Sequence, residues 1–430
     1  MTGTTSSVAG GGPTSVTPPG AVRAVPRFNP FSAAFRDDPY RQYRTLQQQA
    51  APHRTLGMWV LTRHADVESV LMDRTFSSAV IPQLVNRQAD RLSQSNLARI
   101  ERLGEKSLVF TDNPDHARLR GLINQAFSSK AVASLRPRIV DVAQKLFEQT
   151  RHDGMDIIGD YAAPLPVTVM CDWMDVPESI RAQVGPWTRD IRFLLEPGLM
   201  SVAVFSRVCD VVEEFTTAFD DLVAHRKAHP GTDLISNLLA AKTSGGDAFA
   251  SEEIVVLCIM CFVAGNETTK SLIGNAVLAL LQHPEQRNLL TSDRSLATAA
   301  VAETLRFQSP LQMTKRVATR GVEISGSAVE AGDQILLCIG AANRDPAVFE
   351  KPDEFDLSRT GQRHLAFGHG MHGCLGGLLA RLQAEVAIGV LFGDSGRRLE
   401  LVTEHVDWQT DSLIVRGLSQ LPVRLIDEAA

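Results

Sequence analysis

Apolar residues recur at three- and four-residue intervals over most of this chain, the spacing of helices that bury one face. The pattern predicts helices over 39–50 and 64–72, with Met58-Trp59-Val60-Leu61-Thr62 as a strand between them. From about 76 to 110 polar and apolar residues mix without a sustained period. That stretch reads as a long loop, a kind more often functional than idle. Helical spacing returns at Asp115 and dominates to about Gln308, punctuated at Glu196-Pro197-Gly198, His229-Pro230-Gly231 and Ser244-Gly245-Gly246. Short β-type runs come late, at Val322-Glu323-Ile324, at Gln334-Ile335-Leu336-Leu337-Cys338 and at Val423-Arg424-Leu425-Ile426. The fold class expected is mainly α with small β-sheets, and no internal repeat is visible.

The longest helical candidate runs over 251–283. Ser251 is the expected cap, Glu252 and Glu253 fill the first turn, and Pro284 ends it. It is apolar on all sides, so it should run through the middle of a large protein.

Composition adds limits. At 430 residues and 44% hydrophobic content the chain can bury a large core. Length alone would suggest about three domains. The chemistry-bearing motifs between about 113 and 376, however, must converge on one ligand, which argues for one catalytic domain over 27–430. A net charge of −6, from 43 basic and 49 acidic residues, gives no reason to expect nucleic-acid binding. Residues 1–26 are rich in Gly, Ser, Thr and Pro, without the basic and apolar regions of a leader, and read as a disordered tail. No run reaches the roughly 18 consecutive apolar residues of a membrane span, so no membrane association is expected. Six cysteines sit mostly in apolar stretches without the framing of a disulfide scaffold, which fits a reducing cytoplasm. Cys258 and Cys261 form a C-x-x-C, but no second ligand pair stands nearby, so both read as core residues.

One cysteine is different. Phe367-Gly368-His369-Gly370-Met371-His372-Gly373-Cys374-Leu375-Gly376 sets Cys374 among glycines that let backbone pass close to a flat ligand. A thiolate in a turn that opens a helix is stabilised by nearby N–H groups and is suited to hold a metal. The segment resembles the haem-binding signature F-G-x-G-x-H-x-C-x-G of the cytochrome P450 family, with every fixed position filled. The resemblance implies haem b with the Cys374 thiolate as axial ligand, and it names Phe367, Gly368, His372 and Gly376 as cofactor-binding residues.

Other segments match the same family in the expected order, and the likeness extends from about residue 28 onward. Ala264-Gly265-Asn266-Glu267-Thr268-Thr269 matches [AG]-G-x-[DE]-T-[TS]. Ala264 and Gly265 clear space beside the haem, a mid-helix threonine can turn its hydroxyl to the carbonyl four residues earlier, and the resemblance makes Glu267 and Thr268 the catalytic proton-delivering pair. Glu303 and Arg306 form an E-x-x-R pair on one helical face, with a structural role. Asp112-Asn113-Pro114-Asp115-His116-Ala117-Arg118-Leu119-Arg120 resembles D-P-P-x-H-x-R-x-R, with Asn113 where the family often has Pro. His116 and Arg120 then reach the haem propionates, as do Arg316 and His372.

The resemblance implies a monooxygenase that uses dioxygen to hydroxylate a hydrophobic small molecule. Electrons would come from a ferredoxin or flavodoxin with its reductase, docking near Arg118, Arg363 and Arg381. The expected substrate pocket includes Met260, Val263, Ala264, Leu311, Gln312, Met313 and Leu413. It is flanked by the segments around 80–110, 191–204 and 412–413. The substrate expected is a medium-to-large natural product. Alternatives that keep Cys374 are a peroxide-driven or oxygen-independent haem-thiolate enzyme and a non-catalytic haem sensor or carrier.

Overall fold

The structure is a computed structural model and describes residues 28–49, 51–94, 97–150, 154–361, 363–393, 397–403 and 405–427, together with Met1 and Gly3. The tail expected over 1–26 lies almost wholly outside the described residues. At the centre of the largest hydrophobic cluster runs the helix Ser251–Gln282. Ile254, Cys258, Ile259, Ile273, Ala276, Val277 and Leu280 on it are fully buried. Each buried aliphatic side chain of this size contributes roughly 1.5–3 kcal/mol. By length and composition this helix could cross a membrane, yet 72% of its most apolar window is buried inside the molecule.

Its start differs from expectation. Ser251 is the first helical residue and not the cap; the Glu253 side chain reaches back to accept the Ala250 amide at 2.9 Å. The 27-residue helix Val202–Ala228 crosses it, where the rings of Phe215 and Phe219 each lie 5.9 Å from that of Phe262. On its other flank pack Ala297–Phe307 and Gly377–Leu391, the helix that follows Cys374.

The strands are β1 (His53–Thr55), β2 (Met58–Leu61), β3 (Phe76–Ser77), β4 (Gly154–Asp156), β5 (Met313–Ala318), β6 (Val322–Ile324), β7 (Ser327–Val329), β8 (Gln334–Cys338), β9 (Arg397–Leu401) and β10 (Pro422–Asp427). The main sheet has the order β1-β2-β8-β5-β3, with β2 and β8 parallel. A second sheet, β4-β10-β9, and the hairpin β6-β7 complete the β content. The molecule is thus mainly helical with small sheets, as its pattern indicated.

The stretch 76–110 is not a single loop. It holds helices Ile81–Arg91 and Ala98–Glu105, which bury only Val85, Gln88 and Ala89, and Ile100, Leu103 and Gly104. Stripes that narrow, among so many charged residues, do not sustain a visible period. β5 was equally hidden, because Thr314, Lys315 and Arg316 interrupt its apolar alternation.

Candidate active site

The segment 367–376 folds as a tight loop. The Cys374 amide donates to the Phe367 carbonyl at 2.8 Å, and Gly368 and Gly370 adopt φ of 66° and 69°. A side chain at Gly370 would press on the Leu71 carbonyl at 2.7 Å, so glycine is required both for its conformation and for the close approach to helix His64–Met72. The Phe367 ring covers Gly377, and the Arg381 guanidinium lies 4.8 Å from that ring's centroid.

Cys374 faces a cavity of about 790 Å³. The side chain is open to the cavity yet shielded from bulk water. Burial therefore pushes its thiol pKa up, while the Gly376 and Gly377 amides, Arg120 and Arg381 pull it back. These are amides of the first helical turn after the loop, so a sulfur anion there has oriented donors in place.

Four basic residues gather at one end of the cavity. His116 is 2% exposed and its Nε2 has no hydrogen-bond partner among the described residues. The Arg316 guanidinium, 7% exposed, donates among the described residues only to the Lys315 carbonyl, and burial lowers its pKa to about 10. Arg120 donates to the Gly373 carbonyl at 2.8 Å. The His372 ring lies 4.4 Å from that of His116, with Nε2 3.0 Å from Ser78 Oγ and 3.6 Å from Asp112 Oδ1. Burial, Arg316 and His116 push the His372 pKa down to about 4. Burial likewise lowers those of His116 and Arg120. Of the four, the two arginines are the cations, and neither has a carboxylate within ion-pair distance among the described residues.

On the opposite wall is the central helix. The Thr268 hydroxyl donates to the Ala264 carbonyl at 2.7 Å, as the motif implied, and Gly265 has open space where a side chain would begin. Glu267, 8% exposed, pairs with Lys270 at 2.6 Å. Below the loop, Arg306 makes two bonds to Glu303, at 2.8 and 2.7 Å, and donates to the carbonyls of Asn343, Pro352 and Glu354. Arg359 joins them, its Nε 3.2 Å from Glu303 Oε1. Asn343 Oδ1 then accepts the Leu365 amide at 2.6 Å, two residues before the cysteine loop begins.

Met260, Val263, Ala264, Leu311, Met313 and Leu413 line the cavity. Gln312 does not. It stands one residue before β5, and its side chain is held in the interior, where its Nε2 donates to the Ser309 carbonyl at 2.8 Å and to the Tyr40 hydroxyl at 3.2 Å. Arg118 is a second correction, since it forms a two-point pair with Glu253 and is not a free surface cation. Cys258 is fully buried with its thiol pKa raised by burial, as a core cysteine would be, whereas Cys261 is half-buried and lines the cavity, its thiol pushed up to about 12 by burial. Sequence reasoning missed Arg359, which had no spacing signal linking it to Glu303. It also missed Glu196, which accepts the Leu413 amide at 2.7 Å and ties two cavity-lining segments together.

The cavity therefore offers a cysteine sulfur with stabilising amides, an open helix face opposite, and an end of buried cations with an orphaned imidazole nitrogen. That set fits a flat iron macrocycle carrying two carboxylates. A family model for cytochrome P450 matches residues 188–393. The vitamin D(3) 25-hydroxylase of Pseudonocardia autotrophica is 35% identical over 92% of this chain and 96% of its own. The biotin biosynthesis cytochrome P450 of Bacillus subtilis (strain 168) is 34% identical over 91% and 97%. The fold superposes with a TM-score of 0.83 on a crystal structure of P450BioI in complex with an acyl carrier protein ligated with hexadec-9Z-enoic acid, at 33% identity over 92% of this chain and 99% of that one. The chain belongs to the cytochrome P450 family: it is a monooxygenase that holds haem b through the thiolate of Cys374.

Proposed function

We propose that residues 27–430 act as one cytoplasmic catalytic domain. It inserts one oxygen atom of dioxygen into a C–H bond of a medium-to-large hydrophobic molecule in specialised-metabolite biosynthesis. The observation that carries this reading is the joining, in one cavity, of the Cys374 sulfur, the Thr268 hydroxyl and an apolar wall of Met260, Val263, Leu311, Met313 and Leu413. Haem b, when bound, supplies the redox chemistry that activates dioxygen.

The chain's own residues do the rest. Amides of Gly376 and Gly377 hold negative charge on Cys374. Arg120 and Arg316 would neutralise the two haem carboxylates and the His116 and His372 imidazoles would donate hydrogen bonds to them, which would relieve the desolvation the arginines otherwise bear. Glu267 and Thr268 form the path along which protons enter the cavity. The Ala264 carbonyl holds the Thr268 hydroxyl at rest, and Lys270 holds the Glu267 carboxylate. The apolar wall excludes water and orients substrate. Phe367 and Gly368 shape the cysteine loop, and Glu303 with Arg306 fixes the backbone that carries it. Electrons are delivered by a ferredoxin or flavodoxin with its reductase, on the side of Arg363 and Arg381.

In support of the reading, one relative is named a vitamin D(3) 25-hydroxylase and another a biotin biosynthesis cytochrome P450. A compound library screened by the ferric spin-state shift identifies ligands, and turnover with isotopically labelled dioxygen and a reduced ferredoxin follows. One labelled oxygen atom per product supports the reading. Product that forms only with added peroxide, or carries no label, overturns it in favour of the peroxide-driven or oxygen-independent alternative.

A further inference from the structure

The haem carboxylates account for one set of cations in the cavity, and a second set is left over. Lys315 stands on β5 opposite Leu336 of β8, and both line the cavity. Its ammonium has no acceptor and no carboxylate within ion-pair distance among the described residues. Burial lowers its pKa, opposed by the field of Glu196. That carboxylate is already committed: it accepts the Ser412 hydroxyl at 2.5 Å and the amides of Leu413 and Ile414 at 2.7 and 3.3 Å. The neighbouring Arg192 is taken by the side chain and carbonyl of Asp411. Arg87 and Arg91, on the helix Ile81–Arg91, line the same cavity where it reaches solvent, exposed and without carboxylate partners among the described residues.

A half-buried ammonium beside apolar walls costs desolvation energy that the field of Glu196 offsets only in part. An anion arriving with the ligand would offset it through a charge-assisted hydrogen bond in a low-dielectric setting. A neutral substrate would leave the amine as it is. Placement matters as well, because Lys315 immediately precedes Arg316 and follows Leu311 and Met313 of the apolar wall.

We propose that the cavity selects an amphiphile whose apolar body lies against Met260, Val263 and Leu311 and whose anionic group, a carboxylate or a phosphate, pairs with Lys315. Arg87 and Arg91 provide the positive potential that draws this group in from solvent. The proposal rests on the reading of the chain as a monooxygenase of hydrophobic molecules and narrows that class to acidic ones.

The test uses haem-loaded enzyme and two probe pairs, read by the ferric spin-state shift and by calorimetry. One pair is dodecanoate and methyl dodecanoate. The other is S-dodecanoyl phosphopantetheine and its dephosphorylated counterpart. At least one anionic probe should bind about tenfold or more tightly than its neutral partner, the scale of one hydrogen bond to a charged group. Lys315→Met should abolish that preference and Lys315→Arg should keep it. A preference confined to the first pair identifies a free carboxylic acid, and one confined to the second identifies a phosphate handle. Equal binding within both pairs, or an undiminished preference in Lys315→Met, overturns the proposal. The thiolate-type carbon monoxide spectrum of each variant separates this outcome from failure of the haem reading, which would abolish that spectrum in the unsubstituted enzyme.

Discussion

Thr268 shows how far a single side chain can be read from the sequence. Its place after an acidic residue in a mid-helix motif implied a hydroxyl turned to the carbonyl of Ala264, and the bond is present at 2.7 Å. Replacing it with Ala should divert electrons from product to peroxide while leaving haem content unchanged; Thr268→Ser should restore much of the coupling. Peroxide yield per electron consumed is the measurement, and an unchanged yield in the Ala variant would contradict the proton path. Arg316→Leu should speed haem loss about tenfold, in line with the 1.5–3 kcal/mol of a charge-assisted bond, followed by transfer to an apo-globin acceptor. Where a residue lay inside a local motif, as with Cys374, His116 or Thr268, local spacing was enough to single out a residue that lines the cavity. Gln312 was misplaced because its side chain is drawn off by the Tyr40 hydroxyl, 272 residues away, which no local pattern reports. Lys315 and Glu196 were invisible for the same reason. Their meaning depends on partners, or the lack of them, more than 100 residues away.

At the scale of elements, the clamp of Glu303, Arg306 and Arg359 connects the helix Ala297–Phe307 to the chain that leads into the cysteine loop. Glu303 and Arg306 are 4% and 2% exposed, so removing either partner strands a buried charge at a cost of about 3–5 kcal/mol. Glu303→Ala should therefore lose haem and lower the thermal midpoint by several degrees. Arg359→Ala, which removes a partly exposed and more distant member, should do so to a smaller extent. Equal midpoints for the two variants and the unsubstituted protein would show that the clamp is dispensable. The pair itself was legible as three-residue spacing on a helix, but the third member was not. The same contrast holds between long and short helices. Ser251–Gln282 declared itself through its long apolar stretch, whereas Ile81–Arg91 takes its order from packing at the cavity edge and Ala98–Glu105 from packing on that helix and on Val202–Ala228.

For the whole molecule, the cysteine loop, the propionate-end cations and the central helix all form walls of one cavity, so haem binding and folding should be linked. Haem present at about 100 times its dissociation constant stabilises a folded protein by about 2.7 kcal/mol, so apo protein should unfold several degrees lower. Electron delivery belongs to the same scale. Arg363 is exposed and Arg381 partly so near the loop, while Arg118 is withdrawn by Glu253. Charge reversal at Arg363 and Arg381 should slow reduction by a ferredoxin, increasingly so at low ionic strength, with substrate affinity unchanged. A fall in substrate affinity instead would move the docking face elsewhere. Most direct of all is the absorption spectrum of the reduced protein under carbon monoxide, taken beside Cys374→His. The unsubstituted protein should show the strongly red-shifted Soret band of thiolate-ligated haem and the variant should lose it. A band at the imidazole-ligated position in both, or no haem at all after supplementation, would contradict the assignment of Cys374 as the sulfur that holds the iron.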